Sequence, residues 1–95
     1  MKMLYCTYNV SVAEEMKKTL SKLDIQNYQI FDNVIAKTER SNSRFNNPVW
    51  PGYNQVLMVL INNVKEFVLE INKYNSAEED PNEQIIMYFW NIEKV

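Results

Sequence analysis

Val56-Leu57-Met58-Val59-Leu60-Ile61 is an unbroken run of six apolar residues, entered through Tyr53-Asn54-Gln55. Its apolar positions show no helical spacing, and the run is too short for a helix buried on all sides. It reads as a strand buried on both faces. Immediately before it, Ser41 to Gly52 shows no hydrophobic period and holds Pro48, Pro51 and the aromatic pair Phe45 and Trp50. Loops of this length inside a compact domain are uncommon and are usually functional or disordered. Before the loop, Tyr28 to Ala36 predicts a second strand, with Tyr28, Ile30, Val34 and Ala36 on one face and Phe31 and Ile35 on the other. Asp32-Asn33 marks a candidate bulge or kink within it.

The flanks complete the pattern. Residues 2–8 alternate, with Lys2, Leu4, Cys6 and Tyr8 on one face and Met3, Tyr5 and Thr7 on the other, which predicts a central strand. Ser11-Val12-Ala13-Glu14 has the form of a capping box, and Val12, Met16, Leu20 and Leu23 follow at helical spacing, so a helix is expected over 11–23. Downstream, Asn63-Val64-Lys65-Glu66 is a second candidate box. Val64, Phe67, Val68, Ile71 and Tyr74 then predict a helix over 64–74. Asn75 to Asn82 reads as a polar, acidic turn. Glu83 to Asn91 reads as a last strand, with Ile85, Met87 and Phe89 opposite Ile86, Tyr88 and Trp90.

The resulting order is β-α-β-β-α-β, the split βαβ pattern. The expected fold is an α+β, ferredoxin-like sandwich over residues 1–95 as a single domain. A four-stranded antiparallel sheet would carry both helices on one face. Strands one and three should lie in the centre and strands two and four at the edges. Two helices cover one side only, yet strands one, three and four bear large apolar residues on both. A soluble monomer does not normally leave such a face bare, so it should be buried against another subunit or partner.

Composition narrows the functional classes. The formal net charge is −2, without the basic footprint of a nucleic-acid binder. The chain has no histidine, which removes the commonest metal ligand and the commonest general base. No catalytic motif and no metal-ligand spacing is found, and no enzymatic activity is expected. A single glycine leaves no phosphate-cradling loop. Cys6, the one cysteine, cannot form an intrachain disulfide, consistent with a cytoplasmic location. Cys6 reads as a core packing group, and so do most of the five methionines at positions 1, 3, 16, 58 and 87. No signal peptide is seen, and no apolar run is long enough to span a membrane. Basic residues cluster locally at Lys37, Arg40 and Arg44. With Glu39, Phe45, Trp50 and Tyr53 they make the candidate binding loop, where arginine forks offer anion contacts and aromatics offer contact area.

The element order, the length and the long loop, entered through Thr38-Glu39-Arg40 and left through Gly52-Tyr53-Asn54, resemble the PII-like superfamily of PII signalling and CutA-like proteins. The resemblance implies a homotrimer with inward-facing sheets and a regulatory or sensory role. It places the loop where PII proteins carry their T-loop, and small ligands in clefts between subunits near its base. It also implies a protein partner such as a membrane transporter. PII proteins hold adenine nucleotides partly through a glycine- and lysine-containing segment between the second helix and the last strand. Here Asn75 to Asn82 contains neither residue and carries Glu78, Glu79 and Asp80, so no cofactor is expected. The alternative is a dimeric ferredoxin-like small-molecule-binding domain or enzyme, which subunit count separates from the trimer.

Overall fold

Lys2–Asn9 (β1) pairs antiparallel along its whole length with Asn54–Ile61 (β5), from Lys2 opposite Ile61 to Asn9 opposite Asn54. The structure, a computed structural model, describes residues 1–38, 41–44 and 53–95. Tyr28–Val34 (β2) adds to the outer side of β5, and Ile86–Asn91 (β6) to the outer side of β1. The sheet order β2-β5-β1-β6 is antiparallel throughout and puts the first and third of these strands in the centre, as the ferredoxin-like pattern requires. Ala13–Lys22 (α1) and Lys65–Ala77 (α2) both pack on one face. Leu4, Cys6, Leu57 and Val59 meet Met16, Leu20, Phe67 and Ile71 there to form the core.

The helix ends differ from their expected form. Val10–Val12 is a 3-10 turn and α1 begins at Ala13. Asn9, not Ser11, does the capping, its Oδ1 accepting the Ser11 N–H at 2.9 Å. The Ser11 hydroxyl turns away to donate to the Glu83 carboxylate, so the Ser11–Glu14 box is not formed. At α2 the Asn63 side chain accepts from the Lys65 N–H at 3.0 Å, one residue short of the box geometry. That helix also runs to Ala77, three residues past the expected end, because Asn75 is tied down beyond it: its side chain bonds both the N–H and the C=O of Ile85, at 2.9 and 2.8 Å. Pro81–Glu83 is a 3-10 turn, so the last strand starts at Ile86 and not at Glu83.

Two corrections concern the middle of the chain. Phe31 pairs with Val56 and Val34 with Asn54, so the Asp32-Asn33 bulge inserts one extra residue into β2. The insertion reverses the alternation and puts Val34 on the face of Phe31, not with Tyr28 and Ile30. The region expected to run irregularly from Ser41 also opens as a strand. Ala36–Thr38 (β3) and Ser41–Arg44 (β4) form a two-stranded ribbon apart from the main sheet. Of the methionines only Met16 belongs to the fully buried core. Met1 is 49% exposed, and Met3, Met58 and Met87 are half-buried.

Cys6 is fully buried, and burial pushes its thiol from 9.0 up to about 12. The native chain therefore keeps the thiol protonated where the unfolded chain ionises it. This contribution to stability is intact below pH 9.0 and is lost as pH climbs from there through the folded value. Iodoacetamide at mildly alkaline pH should leave native Cys6 unmodified and alkylate it in guanidinium chloride, read by intact mass. Urea titrations should show midpoints that fall above the thiol's ordinary value, and Cys6→Ala should flatten that decline.

Candidate functional site

The loop end of the sheet is built from four segments. Tyr53 leads into β5, and its carbonyl accepts the Val10 N–H at 2.9 Å, which clamps the start of β5 to the end of β1. Beside it Asn54, buried and paired with Asn9, donates from Nδ2 to the Thr7 hydroxyl at 3.1 Å. The Asp32-Asn33 bulge lies on the other side of β5, and the β3–β4 ribbon follows directly from it. Across the gap β4 lies against the Pro81–Glu83 turn.

Of the residues singled out from sequence, Lys37 and Arg44 belong to this ribbon, on β3 and β4, with Arg44 paired to Ala36. Tyr53 is half-buried at its base, where the carbonyl clamp gives it an anchoring role. Glu39, Arg40, Phe45 and Trp50 lie outside the described residues.

The segment facing the ribbon is acidic and well tied. Gln84 Nε2 donates to the carbonyls of Asn75 and Glu78, at 3.2 and 2.6 Å, and Asp80 Oδ1 accepts the Asn82 N–H at 2.9 Å. Burial, with the carboxylates of Glu78, Glu83 and Glu15 nearby, pushes the Tyr74 phenol up to about 12. The local field is thus negative. Asn75 and Gln84, which hold this turn, escaped the sequence reading because polar residues in a polar stretch carry no periodic signal. Among the described residues no group of three or more Cys, Asp or Glu side chains is placed to hold a metal ion. No described helix is long and apolar enough to cross a membrane.

The second candidate surface is the sheet face turned away from the helices. Register places Met3, Tyr5 and Thr7 of β1 there, beside Val56, Met58 and Leu60 of β5. Ile86, Tyr88 and Trp90 of β6 and Phe31 of β2 complete it. None of these residues is charged. Tyr88 is 62% exposed, Phe31 47% and Trp90 45%, so their large side chains stand in solvent in the single chain. A contiguous patch of this kind marks an interaction surface. The two-sided apolar strands expected from sequence are thus found, with one side in the core and the other carrying these exposed aromatics.

No family model matches the sequence, and no curated protein matches it. Comparison with solved structures finds the same fold in PII-like proteins. A PII-like signaling protein from Thermus thermophilus superposes with a TM-score of 0.63 at 18% identity, over 96% of this chain and 85% of that one. CPII from Thiomonas intermedia, solved with ADP and bicarbonate, superposes with a TM-score of 0.70 at 10% identity, over 98% of this chain and 88% of its own. The apo form of CPII gives 0.61 at 9% identity, over 96% and 89%. The chain shares the ferredoxin-like fold of these proteins over nearly its whole length.

Met58 sits at the middle of the open face, opposite both Tyr5 and Gln29. Replacing it with glutamate would bury a carboxylate in any interface formed there, at a cost of roughly several kcal/mol. Met58→Glu should run at the mass of one chain in light scattering and wild type should run as an oligomer, with far-UV circular dichroism unchanged between them.

Proposed function

We propose that this chain is a PII-like regulatory protein that works as a homotrimer in the cytoplasm. Its open sheet faces pack against one another, and the loop between β2 and β5 engages a protein partner. The observation that carries the reading is the uncharged apolar face spanning β5, β1 and β6 on a fold shared with PII-like signaling proteins. A shared core made from these faces would leave the loops outside and free to dock. The role is non-catalytic. Lys37, Glu39, Arg40, Arg44, Phe45, Trp50 and Tyr53 form the working segment, with arginine forks for partner carboxylates and aromatics for contact area. A membrane transporter is the partner that fits the family resemblance.

Small ligands would occupy the clefts between subunits near the loop base. CPII was solved with ADP and bicarbonate, but the turn after α2 in this chain offers a diphosphate little. Glu78, Glu79, Asp80 and Glu83 present carboxylates where phosphate oxygens need cations or backbone N–H groups. Regulation by partner contact or by a small non-phosphate ligand fits this turn better than regulation by nucleotide.

Titration calorimetry on the native oligomer tests the ligand side. ADP, with and without bicarbonate, should give no saturable heat up to millimolar concentration, and a saturable ADP isotherm would overturn the exclusion. The partner side is tested by joint Arg44→Ala and Trp50→Ala substitution. Native mass and circular dichroism should be unchanged while the proteins that wild type captures from a membrane extract are lost. An identical captured set would remove the loop from the mechanism.

A further inference from the structure

Among the described residues one buried side-chain polar atom has no hydrogen-bond partner, the hydroxyl of Tyr8. The residue is 1% exposed. Burying an unpaired hydroxyl is unfavourable, and exceptions in folded chains call for a reason. Phenylalanine would fill the same space without the penalty.

The surroundings supply the reason. Tyr8 stands opposite Gln55 in the β1–β5 register, and Gln55 Nε2 donates to Asp32 Oδ1 at 3.3 Å. Three polar side chains from adjacent strands thus form a row on the helix side of the sheet, at its loop end. The Asp32 charge reaches Tyr8: after burial and Cys6, it is a further cause of the raised phenol pKa. The bulge keeps Asp32 out of direct pairing. Asp32 and Asn33 together oppose Gln55, and the extra residue is taken up by Asn33 at φ 55°, with Asp32 Oδ1 accepting the Asn33 N–H at 2.9 Å. A non-glycine residue in the left-handed region is a disfavoured conformation.

We infer that β2 has two registers, the bulged one described above and a straight one in which Asp32 pairs with Gln55, Asn33 with Asn54 and Val34 with Tyr53, and the Tyr8 hydroxyl donates to Asp32. Straightening returns Asn33 to extended backbone and supplies the missing partner. A one-residue slip also turns every later side chain to the opposite face. Val34 crosses to the helix side, and Ile35, 62% exposed in the bulged register, crosses to the open side. The β3–β4 ribbon begins at the next residue, Ala36, so the slip rotates the base of the loop. Loop orientation is thereby linked to a buried hydroxyl in the core. The inference rests on strand geometry and stands independently of the partner proposed above.

Nuclear magnetic resonance on the full chain decides it. Wild type should show backbone contacts between Val34 and Asn54, with relaxation dispersion confined to Tyr8, residues 31–35 and residues 53–56. Asn33→Gly, which removes the left-handed penalty, should abolish the dispersion. Asn33→Val, whose branched side chain resists that conformation, should replace the Val34–Asn54 contact with a Val34–Tyr53 contact. Tyr8→Phe removes only the bond specific to the straight register, so it should fold as wild type and suppress the dispersion. Flat profiles at these residues in wild type would overturn the inference. So would dispersion that survives Tyr8→Phe, or Asn33→Val retaining the Val34–Asn54 contact. Should Asn33→Val not fold, the Tyr8→Phe comparison decides.

Discussion

The full-length antiparallel pairing of β1 with β5 is the constraint on which everything else in this molecule depends. Side chains directly opposite in such a ladder point to the same face. Leu4 with Val59, and Cys6 with Leu57, therefore define one side, while Met3 with Leu60, and Tyr5 with Met58, define the other. Once the first side is covered by Met16, Leu20, Phe67 and Ile71, both helices are spent. A slip of one residue would exchange the two faces, and the fully buried Leu4, Cys6, Leu57 and Val59 make that slip prohibitive.

From this follows a division of labour between the face and the end of the sheet. The face is uncharged and leaves Tyr88, Phe31 and Trp90 exposed, which suits assembly of identical chains. The end is polar: Asn54 donates to Thr7 and Asn9 accepts from Ser11, the bulge redirects β2, and an acidic turn is stapled by Asn75 and Gln84. Rigid attachment of β5 to β1 through the Tyr53 carbonyl gives the ribbon and loop a fixed footing on one side. On the other side the footing passes through Asn33, the least favoured backbone conformation in the strand.

What the chain shares with PII-like proteins is geometry, at 9 to 18% identity in the superpositions described. Fold likeness at that level does not carry a ligand with it. The turn after α2 has a chemistry of its own. Burial and then the nearby carboxylates raise the Tyr74 phenol there, and Ser11 is drawn across from the start of α1 to Glu83.

The sequence by itself determined the element order, the central position of β1 and β5 and the two-sided apolar character of the strands. Periodicity records which faces must leave water, and that demand is local. It also raised the bulge at Asp32-Asn33. Only the tertiary structure decided the details that depend on groups distant in sequence. Ser11 has the residue type of a cap, but Glu83, 72 positions away, takes its hydroxyl, and Asn9 caps instead. Asn75 looks like the start of a turn, yet Ile85 holds it in the helix. The face of Val34 depends on whether the strand spends one residue or two opposite Gln55, which β5 settles and β2 cannot. Backbone donors and side-chain acceptors choose partners by proximity in space, and that proximity exists only after the β1–β5 ladder has closed.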